Sequence, residues 1–485
     1  MSRNPPSRTR TSSNRTVRQL FYHNVTGASE FHQHTTSLSS PDDGFGLFFQ
    51  SNEKEMSNVP VTFEAPLPIW LKGTLVRNGL GLFEKGPRSF VHAFDGFAKL
   101  ASWKFMGNES ALFSTRFLRS MFYKSSMEAN TITPYLLFHS VVPPFGYIEK
   151  LQCLFRGIDN MNVNIVAFQN SKNKVTEYAA LNDFWIVYKV TIDKLSTKHK
   201  VIPNTGILSL LSSSHPLPEP GTKNHLNFLS SLAVLPWRNN MINLMRIKSL
   251  KRRSIIAQWP VDRVPCMHSF LVEMLQTITV NNIFTMHHVN AYDLGNNSII
   301  MDVSSYPSPE IVSHLQLHVL RDPVKRNSFA AHAQLKRIFI DLIKNEAHEI
   351  PLDQSATPRL ASHLDMPVIN EAYRSKHYCF VYGLVFKADN KTFSNIAVVK
   401  KDVCHDGQGD RIWQLDGHYP VEPWFVADPQ GVDEDDGLLL VPVLDGERKQ
   451  TYLIVLDART LTLTNRAVMP TNIPYSLHGR FFPGV

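Results

Sequence analysis

The chain of 485 residues carries a net charge of +8, with 43% hydrophobic and 19% charged residues. This balance is typical of a protein with a sizeable core and excludes a largely disordered chain. Five arginines precede the first acidic residue, Glu30, and account for +5 of the charge, so the rest of the chain carries +3. Because no later segment combines dense Lys/Arg with aromatic residues, no nucleic-acid partner is predicted.

Residues 1–45 are rich in Ser, Thr, Arg and Asn, and they are predicted to form a disordered basic tail. They contain no apolar segment of a secretory signal, and the whole chain contains no run of about 18 apolar residues. No membrane-spanning segment is therefore predicted. We expect a cytoplasmic protein, with a mitochondrial presequence as the alternative for this Arg- and Ser-rich N-terminus.

Residues 46–485 are dominated by short β-branched or aromatic runs bounded by turn residues, a pattern that predicts strands. The clearest runs are, in chain order, "GTLVRNG", "FWIVYKVTI", "SIIMDVSS", "RIFIDLI", "CFVYGLVF", "NIAVVKKDV", "GLLLVPVL" and "TYLIVLDA". No long stretch keeps a helical period, so the fold class is all-β. A sandwich, a barrel or a propeller fits so many strands, and a propeller holds the most around one axis.

The cysteines are four in number and widely spaced, which argues against a disulfide framework and against a paired CxxC zinc site. A reducing compartment is the default expectation. The cysteines are Cys153, Cys266, Cys379 and Cys404. The segment "CHDGQGD", which begins at Cys404, is interpreted as a polar turn.

The segment "FTMHHVNAYDLGNNSIIMDVSS" places His287 beside His288 in a strand-like run. Successive side chains on a strand point to opposite faces, so the two rings cannot both serve one site. Another pair, His314 and His318, has the spacing of two zinc ligands on a helix, but the glutamate of an HExxH motif is absent. Histidine spacing alone identifies no metal site among the 20 histidines of the chain.

Several longer segments resemble the carotenoid cleavage oxygenase family, which includes the animal β-carotene oxygenases and the retinoid isomerohydrolase of the eye. The resemblance covers the chain from about Pro60 to the C-terminus. The matching segments are "PIWLKGTLVRNGLGLFEKG", "FVHAFDGFAKLASWKF", "DNMNVNIVAF", "YPVEPWFVADP", "DEDDGLLLVPVLDG" and "YLIVLDARTL". No GxSxG elbow, P-loop or Rossmann fingerprint competes with this interpretation.

The resemblance implies a seven-bladed β-propeller with a cap of helices and loops over one face. It also implies a non-haem Fe(II) site on the propeller axis, where four neutral histidines leave coordination positions open for O2. The implied substrate is a carotenoid or retinoid, and a peripheral membrane contact is expected. Matched motif by motif, the iron ligands are His215, His268, His287 and His478.

Each ligand ring needs its second nitrogen oriented, and in the family glutamates do this. Glu422 in "YPVEP" matches one of them directly. Asp365 stands where glutamate is usual, and its shorter side chain predicts a long or water-mediated hydrogen bond. The third falls on Asp183 or Asn182, of which Asp183 is the preferred choice.

The segment between His268 and His287 has only 18 residues, several tens fewer than the family pattern implies. An incomplete blade is therefore expected. The leading hypothesis is an iron dioxygenase that cleaves a carotenoid double bond to retinal or apocarotenoid aldehydes. The alternative is a catalytically impaired propeller that binds carotenoid or retinoid, and a third option is isomerohydrolase activity on retinyl esters.

Overall fold

The structure is a computed structural model that describes most of the chain from Asp43 to Val485. The tail predicted for residues 1–45 lies outside the described residues apart from its last three, so it stays a prediction. The described ranges are 43–107, 109–170, 175–204, 209–231, 233, 239–262, 268–270, 278, 283–328, 333–352, 363–386, 394–405 and 407–485.

The described residues are mostly strands, numbered β1 to β30 along the chain, and they form six sheets of four or five strands. Sheet I contains β1 (Met56–Thr62), β2 (Lys72–Leu82), β5 (Phe97–Met106), β6 (Ser110–Phe117) and β30 (Ser476–Pro483). Sheet II contains β8 (Asn164–Gln169), β9 (Thr176–Leu181), β10 (Val187–Val190) and β11 (Thr197–Val201). Sheet III contains β12 (Ser209–Ser212), β13 (Leu217–Pro218), β14 (His225–Ser231), β15 (Asn240–Ile247) and β16 (Arg253–Val261).

The second half of the chain repeats this pattern of antiparallel neighbours. Sheet IV contains β17 (Phe284–Gly295), β18 (Ser298–Tyr306), β19 (Gln334–Asp341) and β20 (Glu346–Pro351). Sheet V contains β21 (Asp365–Val368), β22 (Phe380–Phe386), β23 (Ile396–Asp402) and β24 (Arg411–Trp413). Sheet VI contains β25 (His418–Pro420), β26 (Trp424–Ala427), β27 (Gly437–Asp445), β28 (Gln450–Asp457) and β29 (Leu463–Val468).

The strand predictions are confirmed for all eight quoted runs, although "FWIVYKVTI" is strand only over β10. The hairpin of β17 and β18 shows how local sequence sets the register. Asn296 and Asn297 both have positive φ, 52° and 58°, between the paired Gly295 and Ser298. Two such residues form the tight turn whose twist matches that of flanking strands, and asparagine tolerates this conformation better than other non-glycine residues.

Sheet I joins the two ends of the described chain, because β30 pairs along β2 from Gly73↔Pro483 to Gly79↔Ser476. A propeller closed in this way has its first and last strands held together by a full ladder of hydrogen bonds. Arg77 and Asn78, in the middle of β2, are fully buried at this seam. The seam therefore brings the N-terminal "RNG" motif beside the C-terminal histidine segment.

The cap consists of short elements that pack on the sheets. The largest buried cluster joins residues of these elements, such as Phe48, Phe90 and Leu320, to strand residues of sheets V and VI. The elements are α1 (Met121–Glu128), α2 (Tyr147–Arg156), α3 (Glu310–His314), α4 (Leu317–Leu320), α5 (Pro323–Arg326), 3-10 turns at Phe45–Phe49, Ala93–Asp95 and Glu371–Tyr373, and a small sheet of β3 (Glu84–Lys85), β4 (Arg88–Phe90) and β7 (Val141–Val142). Among the described residues, no helix has the length and apolar character needed to cross a membrane.

The propeller with its cap agrees with the predicted fold class. Six large sheets are seen in the described part of the chain. Of the residues between His268 and Phe284, the structure describes Ser269, Phe270, Ile278 and Ile283, so the expected incomplete blade stays a prediction.

Candidate metal centre

Four histidines from different parts of the fold converge on one point. The Nε2 atom of His268 lies 3.1 Å from that of His215 and 3.3 Å from that of His478. The Nε2 atom of His287 lies 3.3 Å from that of His478. One ligand atom from each ring lies within 4.8 Å of the others. The structure therefore brings together all four predicted ligands.

Two of the four rings lie on strands, and the other two lie in connecting segments. His215 lies between β12 and β13 of sheet III, and His268 lies in the segment that follows β16. His287 belongs to β17 and His478 to β30, and both are buried. Residues up to 263 positions apart in the chain meet here, because each sheet directs one strand or strand end toward the same centre. No sequence spacing encodes such a meeting.

Three carboxylates contact the outward-facing Nδ1 atoms of these rings. Asp183 lies 2.8 Å from Nδ1 of His268, and Glu422 lies 2.7 Å from Nδ1 of His478. Asp365 lies 2.6 Å from Nδ1 of His287. These are the three residues predicted to orient the ligands, and Asn182 instead donates its amide to the Asn160 carbonyl. A carboxylate on Nδ1 fixes both the ring orientation and the tautomer.

The tautomers leave the Nε2 atoms as acceptors that face one another. A neutral imidazole has one N–H, and the carboxylate partners assign it to Nδ1 in His268, His287 and His478. Lone pairs of Nε2 atoms 3.3 Å apart repel, and a cation placed among them removes the repulsion. Imidazole nitrogens suit iron, zinc, copper and nickel. The donor set therefore fits the divalent metal that the sequence predicts.

Burial lowers the pKa of two of the four rings and so favours their neutral, metal-binding form. Burial lowers the pKa of His215 and of His478 well below the usual value, and the neighbouring imidazoles lower it further. Both rings are neutral at pH 7 and can donate a lone pair to a metal. Burial also opposes a charge on His287, but the Asp365 carboxylate outweighs it and raises the pKa of this histidine.

The hydrogen bond of Asp365 was expected to be long, and that expectation is wrong. The carboxylate contacts His287 directly at 2.6 Å, and its second oxygen accepts a hydrogen bond from Tyr306. Asp365 is the first residue of β21, and this strand lies against β17. The approach of the two strands makes up for the missing methylene group, so aspartate fits where a longer side chain would need more room.

We expect Asp365→Asn to weaken Fe2+ binding by roughly 10- to 100-fold, because the change removes the charge that holds the His287 ring in its metal-binding tautomer. Competition with a coloured Fe2+ chelator measures the affinity. Glu349→Gln is the matched control, since Glu349 pairs with Lys336 on the surface of sheet IV. Equal affinities for Asp365→Asn and the control would contradict the orienting role.

The adjacent rings of His287 and His288 have different partners, as the strand period predicts. His287 contacts Asp365, whereas Nδ1 of His288 lies 2.8 Å from the hydroxyl of Ser269. That hydroxyl also donates to the Met286 carbonyl. His288 is thus a hydrogen-bonding residue outside the four-histidine cluster, and Ser269 links the loop of His268 to the strand of His287.

A family model described as retinal pigment epithelial membrane protein, RPE65, matches residues 48–273 and 272–483. The chain belongs to this RPE65 family. Similar curated proteins include carotenoid cleavage dioxygenase 8 homolog B of rice, 24% identical over 87% of this chain and 82% of that one. They also include human β,β-carotene 15,15′-dioxygenase, 22% identical over 90% of this chain and 94% of that one. The relatives are oxygenases, as predicted.

Solved members of the RPE65 family share the fold. A variant of Synechocystis apocarotenoid oxygenase superposes with a TM-score of 0.74 at 22% identity, covering 92% of this chain and 99% of that chain. A cobalt-substituted form of the same oxygenase gives a TM-score of 0.74 at 21% identity, with the same coverage. The predicted propeller fold is thereby confirmed.

The two pieces matched by the RPE65-family model meet at residues 272–273. This junction lies inside the 18-residue segment between His268 and His287. The junction of the two matched pieces and the short segment therefore coincide in the sequence. Residues 271–277 and 279–282 lie outside the described part of the chain.

Two residues at the RPE65-family centre were missed by sequence reasoning. Buried Arg77 donates to Glu422 at 2.6 Å and to the Leu477 carbonyl at 3.1 Å, so it supports the carboxylate that orients His478. Its "RNG" motif was part of the resemblance and could have pointed to it. Tyr306, which donates to Asp365, has no comparable signal in the sequence.

A cavity of about 110 Å³ lies beside three of the four rings, those of His215, His287 and His478. Apolar side chains such as Phe270, Val368 and Trp424 line it together with charged Glu371 and Arg374. A pocket with this mixture can hold an apolar molecule and fix one polar end of it. The cavity gives the metal centre a space in which a substrate can lie.

Two alternatives raised by the sequence have different outcomes. His314 ends α3 and His318 lies in the separate helix α4, so the pair does not form a zinc site on one helix.

The argument against disulfides is wrong for one pair, because Cys379 and Cys404 are bonded, with Cα atoms 5.1 Å apart. Antiparallel pairing of β22 and β23 brings these distant cysteines together. Cys404 nevertheless lies in the predicted turn.

Proposed function

We propose that this protein is a non-haem Fe(II) dioxygenase that cleaves a carbon–carbon double bond of a carotenoid to retinal or apocarotenoid aldehydes. The observation that carries the proposal is the convergence of four histidine Nε2 atoms, three of them in rings oriented by carboxylates. Relatives named as carotenoid cleavage dioxygenases support the reaction type. Fe2+, when bound by His215, His268, His287 and His478, supplies the activation of O2.

The protein's own residues hold the reactants in place. Asp183, Asp365 and Glu422 keep three rings in the metal-binding tautomer. Burial raises the pKa of Glu422, and the Arg77 guanidinium beside it opposes this rise. The apolar part of the cavity excludes water from the polyene. Cleavage adds both atoms of O2 across one C=C bond, so each of the two products carries one new C=O group. A hydrocarbon substrate offers no ligating atom, so its position depends on shape and burial alone.

The alternative is an impaired member of the family that binds carotenoid or retinoid without cleaving it. The short segment between His268 and His287 and the six large sheets favour this alternative. Against it stands the geometry of the centre, because the loop that carries His268 still reaches the other three rings. The cleavage proposal therefore remains the stronger of the two.

The deciding experiment measures iron and turnover on the same preparation. We expect close to one Fe2+ per chain and, on incubation with β-carotene under air, aldehyde products separated by chromatography. With 18O2, each aldehyde should carry one labelled oxygen atom, and an anaerobic sample should give no product. Bound iron with no turnover of any carotenoid would support the binding propeller. A properly folded protein that takes up no iron would contradict both the dioxygenase activity and the iron site.

We further propose that helix α2 attaches the protein to a membrane surface, where carotenoids reside. Five apolar side chains of this ten-residue helix face solvent, and Tyr147 and Phe155 are 93% and 83% exposed. The others are Ile148, Leu151 and Leu154. Such a contiguous apolar face on a helix is typical of an interfacial anchor. The Arg88–Glu149 ion pair holds the helix on the body of the protein.

We expect the double change Leu154→Glu and Phe155→Glu to reduce binding to phosphatidylcholine vesicles by more than about tenfold, because two large apolar side chains no longer enter the bilayer. Sedimentation with vesicles measures the bound fraction. Val432→Glu is the control, since Val432 is 89% exposed on a different element and should not affect binding. Unchanged sedimentation of the double variant would exclude α2 as the anchor.

A further inference from the structure

A second group of metal-binding side chains lies at the end of the β22–β23 hairpin, away from the four histidines. Cys379 directly precedes β22, and Cys404 follows β23 by two residues. The two form a disulfide, and Nε2 of His377 lies 3.9 Å from Sγ of Cys404. The three ligand atoms lie within 4.8 Å of one another. No motif in the sequence analysis assigns a role to this group.

The backbone holds these residues together through contacts that do not involve the sulfur atoms. The Val403 N–H donates to the Cys379 carbonyl at 2.9 Å, which extends the ladder between β22 and β23. The Cys379 N–H donates to the Glu434 carboxylate at 2.8 Å. The Asp402 carboxylate accepts the N–H groups of Cys404 and His405, both at 3.0 Å. The two cysteines therefore stay close when the disulfide is reduced.

Two thiolates and an imidazole are ligands that zinc prefers. Zn–S distances near 2.3 Å and Zn–N distances near 2.1 Å place neighbouring ligand atoms of a tetrahedral site roughly 3.5–3.8 Å apart. The 3.9 Å between His377 and Cys404 is already close to this spacing. Reduction separates the sulfur atoms of Cys379 and Cys404 from bonding distance to contact distance, which is the remaining change needed.

A fourth ligand can come from water or from the neighbouring residue. His405 follows Cys404 directly, and its side chain is 63% exposed while its Nδ1 contacts Asp402. An exposed side chain changes rotamer without disturbing the core. His377, Cys379, Cys404 and His405 thus offer two pairs of ligands from two short segments.

We propose that the reduced protein binds Zn2+ through Cys379, Cys404 and His377, and that the disulfide is the oxidised, metal-free state of the same site. Binding of Zn2+ releases the two thiol protons. Oxidation by a low-molecular-weight disulfide forms the Cys379–Cys404 S–S bond and releases Zn2+. The two thiolates supply the two electrons, and two protons from solution complete the conversion of the oxidant to two thiols.

The site lies at one end of the loop that contributes Glu371 and Arg374 to the cavity beside the metal centre. The other end of this loop is β21, whose first residue, Asp365, orients His287. Either the metal or the disulfide ties the Cys379 end of the loop to β23. The redox state of the two cysteines therefore decides whether a disulfide or a bound metal ion holds the loop that carries Glu371 and Arg374 against β23.

Cobalt(II) provides the test, because thiolate ligands give it charge-transfer absorption in the near ultraviolet that a four-histidine site cannot produce. We titrate the full chain with Co2+ in the presence of a phosphine reductant. We expect this absorption to account for one Co2+ per chain, in addition to any Co2+ taken up by the four-histidine centre, and to disappear when Zn2+ is added. Treatment with oxidised glutathione before the titration should abolish it.

Variants assign the signal to the proposed ligands. Cys404→Ser should remove the absorption, and Cys153→Ser, a change at a buried thiol elsewhere, should retain it. His377→Ala keeps both cysteines and the disulfide, and it should weaken Co2+ binding by more than about tenfold while preserving the fold. Reduced wild-type protein without the absorption, or Cys404→Ser with it, would overturn the proposal.

Discussion

His287→Ala protein is expected to purify with less than about one tenth of the iron of the wild type, whereas His288→Ala should keep most of it. Nε2 of His287 faces the other ligand rings, and its Nδ1 is held by Asp365 at 2.6 Å. Removal of one of four ligands also leaves this buried carboxylate without its main partner. The ring of His288 instead contacts Ser269. Metal analysis of both proteins from parallel preparations gives the comparison.

The pair of variants is its own control, since the two residues are adjacent on β17 and equal in size. Circular dichroism establishes that both variants fold. Equal iron contents in the two variants would refute the choice of ligand. A larger loss in His288→Ala would place the metal on the other face of the strand.

Arg77→Leu is expected to lower the free energy of unfolding by about 3–5 kcal/mol, the usual effect of removing one partner of a buried ion pair. Both side chains of the Arg77–Glu422 pair are nearly inaccessible, at 1% and 7% exposure. Without the guanidinium, the buried Glu422 loses the cation that contacts it, and the neutral ring of His478 supplies only a hydrogen bond. The midpoint of urea unfolding, followed by tryptophan fluorescence, measures the effect.

Two further variants separate this mechanism from simple loss of an arginine. Arg459→Leu removes an exposed arginine that contacts Asp433 and Asp436, and it should cost less than about 1 kcal/mol because water screens such pairs. Glu422→Gln in the Arg77→Leu background should restore part of the lost stability, since the uncompensated charge is then gone. Similar losses for Arg77→Leu and Arg459→Leu would show that the buried pair contributes nothing special.

The short segment between His268 and His287 contains the junction of the two pieces that match the RPE65-family model. The four-histidine cluster is assembled on both sides of this junction, because it depends on strands and loops that meet at the centre.

The sequence by itself determined the strands and one decisive orientation. Short β-branched or aromatic runs bounded by turn residues located strands such as β18, β22 and β27. The two-residue period of a strand separated His287 from His288. Strand runs and side-chain orientation on a strand depend on residues a few positions apart, so the sequence is enough to predict them. Motif resemblance then supplied the four ligands and the three orienting carboxylates, which histidine spacing could not have done.

The tertiary structure alone decided contacts between residues far apart in the chain. The direct bond of Asp365 to His287 depends on how closely β21 approaches β17, and the disulfide of Cys379 and Cys404 depends on the register of β22 and β23. The support of Glu422 by Arg77 requires the closure of sheet I by the last strand. Long-range pairing and packing set these distances to within an ångström, and residue order carries no measure of such distances.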